Sequence, residues 1–317
     1  MAADSAQKFH GLAGKTAVIT GGEQSFRGIL QTIDRSFVTG ASGIGEAYVR
    51  ALVDSGVHVC FGDKDIAAGA RLASGLPTTR FVSCDVSKWE DQVHLFEEAA
   101  KFSPSKKVHY VVANAGIAPK DDVFAFEGPE GPPKKPDLKT IDVNLVGGLY
   151  TVKLAMHYFI QQNGIEKRPD QEDTCLVLIG SGAAFLDIPR GPSYPATKWA
   201  LRGVMHSLRR TAFYHGSRVN MISPWYVRTG ILSRDQFDQV EKSGVTLAEA
   251  SDAARALLHI LQDNGINGRS FFIAPKKWAP QGYIDLDIDD YSGNKLLQEI
   301  QAEQIAPAPV ELGLFRV

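Results

Sequence analysis

Residues 41–63 read ASGIGEAYVRALVDSGVHVCFGD, a glycine-rich turn, an amphipathic stretch and a β-branched run in succession. A turn that opens a helix in this way aims free backbone N–H groups and the positive helix end at a pyrophosphate. Gly43 and Gly45 allow backbone and phosphate to approach closely, with Ser42, Ile44 and the earlier Gly40 beside them. The run VHVCFGD ends in Asp63, about the offset at which a carboxylate accepts from ribose hydroxyls in a dinucleotide site. Outward from this stretch the rhythm repeats, with KTAVIT before it and RFVSCDV, VHYVVANAG, TCLVLIGSG and RVNMISP after it, separated by helical segments. Such alternation means a parallel sheet covered on both faces, so the expected fold class is α/β: a Rossmann-type doubly wound sheet in a single domain.

TIDVNLVGGLYTVKLAMHYFIQQNG is expected as one long helix and GRSFFIAP as the last strand of the sheet. FEGPEGPPKKPD and EKRPDQED carry no period and read as surface loops. The domain is expected to span residues 1–275. Residues 276–317, acidic and then Pro-rich with a short helix near Leu296, are expected to pack on it as an extension.

With 317 residues, 44% hydrophobic and 22% charged, the composition is that of an ordinary globular chain. A formal charge of -2 gives no field to attract nucleic acid or an anionic membrane, so the expected partner is a small molecule. Cys60, Cys84 and Cys175 lack the paired spacing of a metal or redox site, which points to buried thiols in a reducing compartment and to no metal. The start MAADSAQKFHGLAGK has no apolar stretch after a basic one, and no later run has the length of a membrane span. A cytoplasmic protein is expected.

In SYPATKWALRGV, Tyr194 and Lys198 stand four apart at the start of a helix and so share a face. A free phenol with a pKa of about 10 is a poor base near neutrality, and a neighbouring ammonium would stabilise its anion. Alone, such a pair is more often a surface pair. Its surroundings argue otherwise: Ser181 ends a strand thirteen residues earlier, Asn144 lies in the preceding long helix, and ANAG at 113–116 ends another strand.

Together TG…ASGIG, Asp63, CDV at 84–86, NAG at 114–116, Asn144, Ser181, YPATK and SPWYVRT at 223–229 resemble the short-chain dehydrogenase/reductase family over almost all of residues 11–275. The resemblance implies an NAD(P)-dependent oxidoreductase in which Tyr194 is the acid/base, Lys198 tunes it and binds the nicotinamide ribose, and Ser181 holds the substrate oxygen. It further implies that Asn144 keeps a water in a proton relay, that Asp85 and Val86 flank the adenine, and that Val227 and Thr229 contact the nicotinamide end. Gly21, Asn114, Ala115 and Gly116 complete the implied cofactor site. Asp63 favours NAD over NADP, because a carboxylate repels a 2′-phosphate, although Lys64 beside it could tolerate one. A homodimer or homotetramer through the Asn144 and Tyr194 helices is the implied assembly.

Trp225 departs from the family, which usually has glycine after the proline, and its ring is expected to narrow the pocket or stack on an aromatic substrate. Residues 230–246 match the family's mobile lid. Ile231, Leu232 and Phe237, with Phe185, Leu186 and Ile188, predict an apolar pocket for a bulky or aromatic secondary alcohol or its ketone. HYVVANAGIA, SPWYVRTGIL and APKKWAPQGYIDLD resemble fungal members of the family that oxidise secondary alcohols on polyketides in secondary metabolism.

One stretch breaks the fingerprint. Thr20-Gly21 runs into EQSFRGILQTIDRSF, and Thr39-Gly40 sits one residue too close to Gly43, whereas deleting 23–40 rejoins the text as KTAVITGGASGIGEA. Residues 23–40 thus read as an insertion in the cofactor loop, genuine or a translated intron. Either KTAVIT or RSFVT must then provide the first strand. The competing reading is a folded scaffold or regulator with impaired cofactor binding, and NAD titration with and without residues 23–40 discriminates the two.

Overall fold

The structure is a computed structural model that describes residues 11–21, 43–189 and 191–307. Gly40, Ser42 and the apparent insertion at 23–40 lie outside the described residues, as does RSFVT. The strand that enters the sheet is KTAVIT, whose β1 runs Thr16–Thr20.

Eight strands form one sheet in the order β3-β2-β1-β4-β5-β6-β7-β8. In chain order the elements are β1, α1 (Ile44–Asp54), β2 (His58–Asp63), α2 (Ile66–Ser74), β3 (Thr79–Ser83), α3 (Trp89–Phe102) and β4 (Tyr110–Ala113). A helical rod follows, made of α4 (Lys139–Ile141), a π turn (Asp142–Val146) and α5 (Gly147–Asn163). Then come β5 (Thr174–Ile179), α6 (Ser193–Leu208), β6 (Ser217–Pro224), α7 (Arg234–Lys242), α8 (Ala250–Gln262), β7 (Ser270–Ile273), β8 (Tyr283–Asp285) and α9 (Lys295–Ile305).

Strands β1 to β7 pair in parallel, and their side chains alternate between two cores, as the period of two requires. Ala17, Ile19, Val59, Val112 and Val177 face α1 and α8, while Val18, Cys60, Val111, Leu176 and Leu178 face α3, α5 and α6. Burial on both faces is why these strands read as nearly continuous apolar runs. It also pushes the thiols of Cys60 and Cys84 up to about 12 and that of Cys175 to about 11, which leaves them unreactive near neutrality.

Two expectations need correction. GRSFFIAP is not the last strand: Phe271, Phe272 and Ile273 pair with Asp285, Ile284 and Tyr283 of β8, which is antiparallel. The expected long helix is interrupted by the π turn, an extra residue per turn centred on Asn144. Beyond β8, Asp289 is fully buried and accepts from Arg202 Nε at 2.9 Å and His206 Nε2 at 2.8 Å, both on the outer half of α6. Among the described residues no helix is long and apolar enough to cross a membrane.

Candidate active site

The strand order reverses between β1 and β4, and the carboxyl ends of strands at such a switch point open into a crevice. Two clefts meet there, one of 1130 Å³ on the β2–β3 side and one of 730 Å³ on the β5–β6 side, sharing Gly116, Ala118 and Ile231.

The larger cleft begins where β1 ends. Gly21 has φ +66°, and a Cβ there would stand 2.7 Å from Ala115 Cα, so only glycine lets the β1 and β4 ends approach this closely. Asn114 holds them together, its Nδ2 donating to Gly21 O at 2.5 Å and its backbone N–H to Thr20 Oγ1 at 3.2 Å. Gly43 precedes α1 with no side-chain cap, and the first intrahelical bond runs from Ala47 N to Gly43 O. The N–H groups of the first turn, at Ile44 and Gly45, therefore have no partner further back in the helix and suit an anion.

Asp63, Asp85, Val86, Ala115 and Gly116 line this cleft. Asp63 Oδ1 accepts from Asp65 N at 3.0 Å, which fixes the carboxylate at the end of β2. The exposed ammonium of Lys64 donates to Asp85 Oδ2 at 2.8 Å. Burial pushes the Asp85 carboxyl up, but Lys64 and Ser87 outweigh it and hold it at about 2. The cleft's shape, its open helix start among the described residues and its carboxylates fit a dinucleotide.

The smaller cleft has Ser181, Tyr194 and Lys198 on its wall. Ser181 follows β5 and caps a short 3₁₀ turn, its Oγ accepting from Ala183 N at 3.1 Å. Tyr194 and Lys198 project from the first turns of α6, with Lys198 Nζ 5.5 Å from the tyrosine ring centroid. Burial pushes the Tyr194 phenol up, and a hydrogen bond with Ser181 draws it back part of the way. Lys198 is buried with Ile179 O as acceptor at 2.8 Å, and burial lowers its ammonium to about 8. The stabilisation expected of Lys198 thus does not govern the phenol in the chain alone; desolvation does.

Asn144 lies at the π turn, beside this group but behind its wall. Its Oδ1 accepts from Ile117 N at 2.8 Å and its Nδ2 donates to Ile117 O at 2.9 Å and Thr197 Oγ1 at 3.4 Å. The amide therefore clamps the segment after β4, and a relay through this residue would have to use its backbone carbonyl.

Val227 and Thr229 line the smaller cleft, as do Ile188, Trp225, Ile231, Leu232 and Phe237. Phe185 does not: the 3₁₀ turn carries it away from the cleft, and its ring meets Phe272 edge-on at 5.6 Å. Leu186 is likewise absent from the wall. Trp225 has its ring gripped edgewise by Tyr226, Phe272 and Trp278 at 5.0, 6.0 and 5.5 Å, so it is a rigid wall. The lid region contributes α7, started by a Ser233–Gln236 capping box, which presents Gln236, Phe237, Gln239 and Val240. Sequence reading missed Tyr226, which stands within SPWYVRT between residues assigned to the site, and Gln236 and Gln239, which carry no motif and become visible only once α7 is placed.

The family described as short chain dehydrogenase matches residues 35–239. That stretch starts after β1, so the match takes the Thr39-Gly40 copy of the turn. The chain is 29% identical to 5′-hydroxyaverantin dehydrogenase of Dothistroma septosporum over 90% of this chain and 92% of that protein. It is 31% identical to an NADP-dependent dehydrogenase of Cochliobolus lunatus over 82% of this chain and 88% of the other. Among solved structures, 3-ketoacyl-(acyl-carrier-protein) reductase from Brucella melitensis, complexed with NADH, superposes with a TM-score of 0.65 at 23% identity, covering 83% of this chain and 98% of that one. The last likeness concerns the fold alone.

Proposed function

The chain belongs to the short-chain dehydrogenase family and is a nicotinamide-dependent oxidoreductase, and from that premise we propose that it interconverts a secondary alcohol and a ketone on a bulky apolar or aromatic molecule. The observation that carries this reading is the convergence of Ser181, Tyr194 and Lys198 on one cleft, at the seam with a second cleft suited to a dinucleotide.

When bound, the nicotinamide supplies the hydride acceptor or donor. Gly21, Gly43, Ile44, Gly45, Asn114, Ala115 and Gly116 would hold the cofactor's phosphates and nearer ribose, with Asp63 on the adenosine ribose and Asp85 and Val86 at the adenine. Ser181 hydrogen-bonds the substrate oxygen, and the Tyr194 oxygen takes the hydroxyl proton in oxidation or returns it in reduction. Lys198 keeps a positive charge close to the ring and orients the nicotinamide ribose. Apolar walls from Ile188, Trp225, Ile231, Leu232 and Phe237 exclude water, and Lys198 is the only cationic side chain among the described residues of the smaller cleft, a lining that suits an apolar substrate.

NAD is the preferred cofactor in this reading, since Lys64 is paired with Asp85 while Asp63 faces the ribose end. Similarity to 5′-hydroxyaverantin dehydrogenase supports a fungal-type polyketide alcohol as the substrate class. The test is oxidation of a series of aromatic and aliphatic secondary alcohols with NAD and with NADP, followed through cofactor absorbance. Faster turnover of the aromatic members with NAD supports the reading. Activity confined to sugars or hydroxy acids would contradict it.

A further inference from the structure

The start of α6, which carries Tyr194, is not closed by its own sequence. Pro192 precedes the helix with no side-chain cap. Pro195 has no N–H to satisfy, and Ala196 N donates to Pro192 O at 3.0 Å, which leaves Ser193 and Tyr194 as the open donors of the first turn. One of these is filled from far away in the chain: Ser193 N donates to Asp121 Oδ2 at 2.7 Å, across 72 residues.

Asp121 belongs to the segment that follows β4, and that segment is held at both ends. At Ile117 the Asn144 amide grips both the backbone N–H and the carbonyl, at 2.8 and 2.9 Å. At Asp121 the carboxylate is oriented by a second bond, Val123 N to Oδ1 at 2.9 Å. Between the two anchors, Ala118 lines both clefts. Asp121 itself lines neither cleft, and both of its carboxylate oxygens are engaged by backbone N–H groups, one of them at the start of α6. A charged acceptor at a helix start is favoured by the N–H groups and by the helix dipole, and it defines where the first turn begins.

We propose that Asp121 is a positioning residue for the reaction: its carboxylate closes the first turn of α6 and so sets Tyr194 against Ser181. Misplacement of a reacting group by about 1 Å costs on the order of a hundredfold in rate, so a loose first turn is felt at the phenol. The neighbouring loop shares this anchor. Asp137 N donates to Asp122 Oδ1 at 3.2 Å and closes the base of a loop whose tip exposes Phe124 and Phe126.

The proposal rests on Tyr194 as the acid/base, and the experiment keeps the two apart. Wild type, Asp121→Ala, Asp121→Asn and Tyr194→Phe are compared in two ways: oxidation of 1-tetralol with NAD, and amide exchange of the peptide spanning residues 191–200, which needs neither substrate nor cofactor. Asp121→Ala is expected to lower kcat by about tenfold with KM for NAD unchanged, and to speed exchange at the start of α6 by a similar factor. Asp121→Asn keeps an acceptor oxygen without the charge and is expected to restore both values to within about threefold of wild type. Unchanged exchange in Asp121→Ala, unchanged kcat per folded molecule, or an asparagine variant as impaired as the alanine one would overturn the positioning role. Turnover that survives Tyr194→Phe would instead overturn the reading of the tyrosine.

Discussion

At the scale of single residues, the site depends on what burial does to a few polar groups. Lys198 is kept charged in an apolar wall with one carbonyl as acceptor, and burial lowers it to about 8. In the proposed function Asp63 sets the preference for NAD by its charge. Asp63→Ala is expected to lower the ratio of kcat/KM for NAD over NADP by about tenfold, equivalent to ~1.4 kcal/mol. Steady-state kinetics with both cofactors check this, and an unchanged ratio would remove Asp63 from the ribose. His109 is a purely structural case at the opposite end of the sheet. Its Nδ1 accepts from Thr16 N at 3.0 Å, which requires a neutral ring, and burial followed by the Lys15 charge lowers its pKa to about 4. Because the unfolded chain binds this proton first as pH falls, the contribution is complete above about 6.5 and is lost between there and 4. Urea unfolding is expected to show ~2 kcal/mol less stability at pH 4 than at pH 7 from this residue, and His109→Gln should flatten that part of the profile.

At the scale of elements, the strands and most helices were legible because each β-branched run is buried on both faces and each helix carries one apolar stripe. Residues 139–163 show the limit: the apolar pattern passes through Asn144 without a break, so nothing in it marks the π turn. β8 was hidden for a different reason, since Tyr283–Asp285 is short and its neighbours are acidic, so it reads as loop until β7 provides a partner. Phe185 was assigned to the substrate wall by its nearness to Ser181, but the 3₁₀ turn in between reverses its direction. Asp121 could not be found from sequence at all, because a cap supplied across 72 residues leaves no local signature. The junction of α3 with α5 makes a testable point at this scale. Gln92 Nε2 donates to Val86 O at 2.7 Å and Gly147 O at 2.8 Å, and its Oε1 accepts from Thr151 Oγ1 at 2.7 Å. Thr151 Oγ1 also donates to Gly147 O at 3.0 Å, so Gln92→Leu strands Val86 O alone and is expected to cost about 1–3 kcal/mol in denaturant unfolding; a loss below about half a kcal/mol would show that this carbonyl finds another partner.

At the scale of the whole molecule, the chain after β7 is tied back onto α6, the helix that bears Tyr194 and Lys198. Arg269 bonds Asp285 at 2.5 Å, Asp287 at 2.7 Å and Asp290 at 2.5 Å, while Asp289 meets Arg202 and His206 of α6. Burial pushes the Asp289 carboxyl up, yet His206 and Arg202 hold it at about 2. Removing one partner of such a buried group strands the others, so Asp289→Ala is expected to cost about 3–5 kcal/mol and to lower Tm by several degrees. An unchanged Tm would show that the C-terminal segment does not brace α6. The two clefts at the sheet's switch point, with Tyr194 in one and Asp63 in the other, are the setting for the proposed hydride transfer at one carbon and proton transfer at the oxygen it bears. The most direct measurement is kcat for 1-tetralol oxidation in Tyr194→Phe, beside the affinity for NAD measured by fluorescence titration. A fall in kcat of about a thousandfold is expected, with NAD affinity held within a factor of a few. Wild-type turnover by the phenylalanine variant would contradict it.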